Sequence, residues 1–555
     1  MAGFVYFWTM GGGVHDTRSL TFEQATRSWN LDYRAADQSS PGPLAPSYVD
    51  NQGVFSADVN NDRRPDLFLT GGASPALLVN RDDTLKSAPI PDINFKVASA
   101  GFADLDRDGW KDLILVPQEG PLRLLKNDSG RYARVTVIDS PVLNSGSGLT
   151  LGDYDRDGCP DLFVLQYSSQ AKNPDAPRRH KYYRLGKSLP SGSWDDSGRK
   201  NYLLLGDCSG GFRVVKSPEL RRNHFSLAAS STDFTGNGWL DIHVANDFYR
   251  DSLYVNKGNG NFTHRYLPAA TDRNGMSSAV SDINDDGRPE VFVSNIFVPP
   301  ESPIFNLENF RFLVTSRPDG HNLLLNQGRG HFRDLAAEAG VQSGGWGWGS
   351  VFADFSNSSR RGIFQCRQNY LKPGIKMRVF DLSTPDLASL LEQHVSQDTS
   401  VPEPLRNHEL FPELRDWLGF PVFYRRSGKP PEYTTQYLDD QRRDCRGVVA
   451  VDLNRDGYLE IVTSSFTGQY DVLETNKPNP GYNWIRLIVD DPRYYQGGYL
   501  TLELPSRTIR VPIGTGTGYK RQQPAEIHLG TGSVETLEEL TVSWHSGSSH
   551  RRKDI

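Results

Sequence analysis

The sequence predicts an all-β chain, a seven-bladed β-propeller followed by a smaller β-rich module. Three observations lead there. A nine-residue acidic motif returns seven times, most copies run directly into a short apolar stretch of strand character, and a second motif of hairpin type follows. The acidic motif reads ADVNNDRRPDL (Asp58 to Asp66), ADLDRDGWKDL (Asp104 to Asp112), GDYDRDGCPDL (Asp153 to Asp161) and TDFTGNGWLDI (Asp233 to Asp241). It continues as SDINDDGRPEV (Asp282 to Glu290) and VDLNRDGYLEI (Asp452 to Glu460), with a degraded copy, ADFSNSSRRGI, from Asp354 to Gly362. Successive first aspartates stand 46, 49, 80, 49, 72 and 98 residues apart. The short intervals suit one four-stranded blade, and the long ones a blade carrying an insertion.

Each strand run is four residues long: LFLT after Asp66, LILV after Asp112, LFVL after Asp161, VFVS after Glu290 and IVTS after Glu460. Such β-branched and aromatic runs read as buried strands. The second motif is LLVN ending at Asn80, LYVNKGNGNF ending at Phe262 and LLLNQGRGHF ending at Phe332, with weaker forms ending at Tyr132 and Phe212. An apolar strand, an Asn/Gly turn and an aromatic opening the next strand describe a β-hairpin.

Composition narrows the function classes. The chain has 555 residues, 37% hydrophobic, with 61 basic against 67 acidic side chains and a net charge of −6. That balance gives no pull toward nucleic acid, and no run of about eighteen apolar residues is present to span a membrane. Residues Ala2 to Met10 are apolar without a basic segment before them; a short buried strand is the favoured reading, a trimmed secretion signal the other. Residues 1–50 are assigned to an N-terminal segment able to complete the propeller, 51–476 to the propeller and 483–555 to the module. Four cysteines (Cys159, Cys208, Cys366, Cys445) form no C-x-x-C pair; two bridges are compatible with an extracellular setting, in a pairing the sequence leaves open.

Numbering each acidic copy 1 to 9 places oxygen-bearing side chains at 1, 3, 5 and 9, with Gly usually at 6. Alternate residues of a tight loop converge, and Gly at 6 lets the chain reverse so that position 9 can close the shell. An all-oxygen donor set suits Ca²⁺ and lacks the His or Cys that zinc prefers. The expected ligands are Asp58, Asn60, Asp62 and Asp66; Asp104, Asp106, Asp108 and Asp112; Asp153, Asp155, Asp157 and Asp161. They continue with Asp233, Thr235, Asn237 and Asp241; Asp282, Asn284, Asp286 and Glu290; and Asp452, Asn454, Asp456 and Glu460. About five or six calcium ions follow. Arg63 takes position 6 of the first copy and is expected to strain it, while Thr235 and Asn237 leave the fourth with two carboxylates. The degraded copy, with Ser356, Ser358 and Gly362, is expected to hold no metal.

The D-x-[DN]-x-[DN]-G-x-x-[DE] repeats resemble the FG-GAP/VCBS repeats of integrin-α-type propellers. FRDLAAEAGV (332–341) with WGWGSVFADF (346–355), and then NWIRLIV (483–489), GTGTGYKRQQP (514–524), IHLGTG (527–532) and LTVSWHSG (540–547), resemble in order the segments of the ASPIC/UnbV family. The resemblance runs from about Asn51 to the end and implies a calcium-stabilised binding protein outside the cell or in a periplasm. Two departures stand out: SNSSRR replaces the acidic loop after the WGWG segment, and the module's first turn is short between Val489 and Gly497.

Two insertions are expected, 166–200 and 366–446. The first is basic (PRRHKYYRLGK) and reads as a solvated loop; the second reads as partly helical, with Leu387, Leu390, Leu391 and Val395, then Leu410, Leu414, Trp417 and Leu418, as apolar stripes. Gly514 to Gly518 mimics a phosphate loop, but no helix follows it, so it reads as a β-turn. Nothing marks a Ser-hydrolase elbow, a Walker A loop or an H-E-x-x-H site. Two functions remain. One is an interaction protein for a protein, glycan or small-molecule ligand. The other is an enzyme of enediyne-type natural-product biosynthesis, as UnbV-type resemblance implies, with Asp247, Tyr249 and Arg250 as catalytic candidates on a propeller face.

Overall fold

The computed structural model describes residues 4–10, 20–31 (without 27 and 30), 52–167 (without 72–73), 198–267 (without 221 and 248), 274–295, 320–368 (without 344), 421–428, 432–438 and 445–553 (without 466–468, 491 and 515). The helical stripes expected between 384 and 418, and most of the basic insertion, lie outside these residues. Among the described residues the structure is strand and turn, with one 3-10 turn at Pro492–Gln496.

Seven antiparallel four-strand meanders organise the described chain. Sheet 1 runs Gly53–Ala57, Asp66–Thr70, Ala76–Asn80 and Leu85–Ala88. Sheet 2 is Val97–Ala103, Asp112–Pro117, Arg123–Asp128 and Arg131–Val137, and sheet 3 is Gly146–Gly152, Asp161–Gln166, Tyr202–Gly206 and Phe212–Val214. Sheet 4 (Ser226–Thr232, Asp241–Asn246, Ser252–Asn256, Phe262–Tyr266) and sheet 5 (Ala279–Ser281, Glu290–Val293, Asn322–Asn326, Phe332–Asp334) repeat the plan. Sheet 6 is Trp346–Ala353, Gly362–Gln368, Val422–Gly428 and Glu432–Tyr437, so the stretch read as a second insertion supplies two strands of its own blade. Sheet 7 is Cys445–Val451, Glu460–Ser465 and Tyr470–Thr475, with Phe22–Gln24 of the N-terminal segment as its fourth strand.

First strands neighbour one another from sheet 1 through sheet 4 and from sheet 5 through sheet 7, and the first strand of sheet 7 meets that of sheet 1. Sandwiched between adjacent sheets, first and second strands are apolar on both faces. Every residue of Val97–Ala103, Asp112–Pro117 and Cys445–Val451 is buried. That is why the sequence shows continuous apolar runs there instead of alternation; each buried Leu or Phe contributes about 1.5–3 kcal/mol. Disulfides join Cys159 to Cys208 within sheet 3 and Cys366 to Cys445 between sheets 6 and 7.

The C-terminal strands form two more sheets. Asn483–Asp490 pairs with Glu526–Gly532 and with Phe4–Met10, while Gly498–Leu504 lies between Arg507–Ile513 and Glu539–Trp544. One apolar cluster runs from Ile114, Val116 and Leu162 of sheets 2 and 3 into Leu487, Leu500, Leu540 and Trp544. The Gly-rich stretch is indeed a turn, closed by pairing of Thr517–Gly518 with Arg521–Gln522. Its position is the surprise, because it enters the ring of first strands. Gln522 accepts from the Phe102 amide (2.7 Å) and donates to the Phe102 carbonyl (3.0 Å), as Gln523 does with Ala450 (3.0 and 3.1 Å). Arg521 and Gln522 pair in parallel with Val54 and Phe55, Thr517 meets Thr150 at 2.6 Å, and Tyr519 packs on Trp348 with ring centroids 5.2 Å apart. Touching the first strands of sheets 1, 2, 3, 6 and 7, this turn lies on the axis they surround. A cavity of about 110 Å³ remains beside it, lined by Ser231, Val280, Val351 and Arg521 among others.

Candidate calcium-binding loops

Each acidic motif joins the first strand of a sheet to its second, and the loops are numbered here with their sheets, so that the degraded copy is loop 6. In all seven, one oxygen of the position-1 aspartate accepts the amide of position 6. The donors are Arg63, Gly109, Gly158, Gly238, Gly287, Ser359 and Gly457, at 2.6–3.2 Å. That closure needs a left-handed backbone at position 6, where the glycines have φ between +81° and +90°. Arg63 adopts +67° and Ser359 +61°, conformations costly for a side chain with a Cβ.

Position 9 does more than the sequence reading assigned to it. In loops 1, 3, 5 and 7 one oxygen of Asp66, Asp161, Glu290 or Glu460 accepts the amide of position 2 at 2.7–3.0 Å, and in loop 4 Asp241 accepts that of position 3, Thr235, at 3.0 Å. In loops 1 to 5 a position-9 oxygen also accepts an amide at or beside the end of the sheet's third strand, from Asn80, Asn127, Gly206, Asn256 and Asn326. Position 9 therefore clasps the acidic loop to the second motif, which is why the two recur together. The asparagines reach further. Asn127, Asn256 and Asn326 donate from Nδ2 to the position-2 carbonyls of loops 1, 3 and 4 (Val59, Tyr154, Phe234). Asn80 donates to Leu453 of loop 7, closing the circle at 2.7 Å.

The donor sets fit a calcium ion. Ligand oxygens of Asp153, Asp155 and Asp161 lie within 4.8 Å of one another, as do those of Asp104, Asp106 and Asp108. Asp153 and Asp452 are 1% and 0% exposed, and the Oδ1 of each has no hydrogen-bond partner. A buried carboxylate oxygen left so costs several kcal/mol unless a cation meets it. Burial, ahead of neighbouring carboxylates, lifts Asp58, Asp153 and Asp282 to about 6, Asp66, Asp241 and Asp452 to about 7, and Glu290 to about 9. A divalent ion at this spot reverses that penalty. The remaining expected ligands sit at the loop rims: the Asn60, Asn284 and Asn454 amides donate to Asp62, Asp286 and Asp456. In loop 4, Thr235 Oγ1 turns to Asp233 and Asn237 donates to Asn256, so the weakest donor set is also internally satisfied. Asp157 caps the Cys159 amide at 2.7 Å, and the Cys159–Cys208 bridge ties loop 3 to the following hairpin.

The C-terminal module covers this loop face. Tyr495 accepts at its hydroxyl from the Asp104 amide (3.1 Å) and at its carbonyl from Asp153 (2.7 Å), and Gln496 donates to Asp153 Oδ2 at 3.0 Å. Arg510 donates its amide to Asp285 in loop 5, and His545 Nδ1 stands 3.9 Å from Asp233. At loop 6 the Gly530 amide reaches Asp354 Oδ2 at 3.2 Å. No sequence signal reveals these contacts, since they join residues over 170 positions apart.

The three catalytic candidates differ in burial and neighbours. Asp247 is buried and accepts the Tyr167 hydroxyl at 2.6 Å; Tyr249 packs in a ring cluster with His224 and Tyr266; Arg250 is exposed. His243 lies 3.5 Å from Asp251 and 2.9 Å from Ser278 Oγ. This relay is fully buried and bridges to Ser230, tying sheet 4 to sheet 5.

Comparison with known proteins agrees with the repeats. The FG-GAP-like repeat family matches residues 58–115, 104–164 and 233–293. Cartilage acidic protein 1 of Mus musculus is 24% identical over 490 residues, covering 82% of this chain and 71% of the mouse protein. The Homo sapiens protein is 24% identical over 494 residues, covering 82% and 69%. A solved Agrocybe aegerita lectin, described as recognising non-reducing terminal N-acetylglucosamine, aligns over 79% of this chain and 100% of its own at 14% identity, with a TM-score of 0.41. The chain carries FG-GAP-like repeats and is similar over most of its length to cartilage acidic protein 1.

Proposed function

We propose that the chain is a calcium-stabilised, seven-bladed propeller of the extracellular or periplasmic space that acts as an interaction protein. Calcium sits in the acidic loops, and the C-terminal module at 483–555 is docked over them. The observation that carries the metal is the pair of buried, partnerless carboxylate oxygens on Asp153 and Asp452, at the same position of two repeats. Two disulfides support an oxidising compartment. Similarity to cartilage acidic protein 1 and the FG-GAP-like repeats support binding over catalysis. The enzyme reading draws no such support. The axis, where propellers commonly build active sites, is occupied by the turn ending at Gln523.

Elemental analysis of the purified chain, with melting curves in calcium and in chelator, tests the proposal. The expected result is about five or six calcium ions per chain, as the sequence reading counts them, and a large fall in melting temperature on chelation. A metal-free protein whose melt ignores calcium would overturn it.

A further inference from the structure

Loops 2 and 3 have the same four-aspartate donor set, yet their carboxylates meet different groups. In loop 3 the Asp153 Oδ1 is left without a partner. In loop 2 the ammonium group of Lys126 stands among the carboxylates, 2.6 Å from Asp106, 2.7 Å from Asp108 and 3.3 Å from Asp112. No carboxylate oxygen of loop 2 is among the buried groups lacking a partner.

Strand register shows what is unusual about Lys126. It follows Leu125, which pairs with Leu113, the residue after position 9. The same register step leads to Val79 in sheet 1, Leu205 in sheet 3, Val255 in sheet 4 and Leu325 in sheet 5. Four loop-bearing sheets thus place an aliphatic side chain where sheet 2 places a cation; in sheet 7 the step leads to Glu474.

We propose that Lys126 supplies the cation of loop 2, so that this blade is closed by a tethered ammonium group where its neighbours take calcium. The inference rests on the calcium reading of those neighbours. A calcium ion would need the same oxygens at about 2.3–2.6 Å. It cannot share them with an ammonium group that already meets three of the four carboxylates, because the two positive charges would stand within a few ångströms of each other; beside loop 7, by contrast, Lys477 reaches Asp456 at 2.7 Å. Lys126 is covalently held, so its positive charge stays among the loop 2 carboxylates at any calcium concentration. Sheet 2 would then remain closed when calcium falls, while loops 1, 3, 4, 5 and 7 lose their ions.

Two variants of the full chain test this. Asp106→Asn should leave the calcium content of the protein unchanged, whereas loss of one ion would mean that loop 2 holds calcium. Lys126→Met, which keeps the length of the side chain and removes its charge, should gain one calcium ion over the wild type. Equal content would overturn the proposal. In chelator Lys126→Met should melt below the wild type, and added calcium should narrow the gap; coincident melts in chelator would equally overturn it. If the wild type proves free of calcium, the calcium reading fails on its own, and the chelator melt, which uses no metal, still decides the role of Lys126.

Discussion

Loops 3 and 6 begin with the same buried aspartate and solve its charge in opposite ways. Asp153 has three acidic companions in its repeat, Asp155, Asp157 and Asp161, and an Oδ1 that no donor meets. Asp354, 2% exposed, has both oxygens filled by amides: Ser358 on Oδ1, and Ser359 and Gly530 on Oδ2. Where loop 3 has Asp155 and Asp157, loop 6 has Ser356 and Ser358, whose hydroxyls bond each other at 2.9 Å. Asn357 at its tip accepts His528 at 2.8 Å and donates to the Gly457 carbonyl, and Arg361 crosses to the Asp282 carbonyl and Asp285 of loop 5. The degraded repeat is thus an anchor for the C-terminal module. The lesson is that a loop can exchange a metal for backbone donors brought from elsewhere in the chain.

The largest effect should separate these two aspartates. Asp354→Ala orphans three buried amides and should cost about 3 kcal/mol, with or without calcium. Asp153→Asn should lower the calcium content by one ion and destabilise mainly in calcium. Identical calcium dependence of the two variants would break the comparison.

Gly530 sharpens it next. A Cβ there would fall 2.1 Å from the Asn357 backbone carbon, so Gly530→Ala must push the module off loop 6. The expected loss is about 2 kcal/mol, indifferent to chelator in a melting experiment.

Acid should also act at the anchor. His528 stacks on Trp484 and is pushed down to about 3 by burial, with Arg486 adding to the shift. Its folded value lies below the unfolded value of 6.5, so its contribution is complete above pH 6.5 and is lost as pH falls toward 3. About 1–2 kcal/mol should be gone by pH 5, and His528→Asn should flatten the fall of melting temperature between pH 6.5 and 5.

The smallest change concerns loop 1, which is built on the plan of loop 3 but holds Arg63 at φ +67°. Arg63→Gly should relieve that backbone and raise stability by about 0.5–1 kcal/mol. A loss of stability would mean that the Arg63 side chain outweighs its backbone.

Much of this was legible in the residues. The repeat count, the strand runs and the loop closure at position 6 follow from local pattern, because turn geometry and two-sided burial act over a few neighbours. The neighbourhood of His243 was not legible, because Asp251 is brought beside it only by the hairpin between two strands. Position 9 was legible as an acid but not as a clasp, since its amide partners arrive from the next strand. Lys126 was passed over because a lone lysine in LLKND has no meaning until register sets it against Val79, Leu205, Val255 and Leu325.

By itself the sequence determined an all-β repeat chain whose loops carry converging oxygen donors, since side-chain period and glycine placement are local properties. Tertiary structure alone decided what meets each donor. Ring closure brings Asn80 to Leu453, and module docking brings Gly530 to Asp354 and the turn at Thr517 to the axis. Whether a buried carboxylate faces an amide, an ammonium group or an open metal position depends on segments hundreds of residues away, and only the packed chain brings them within hydrogen-bond distance.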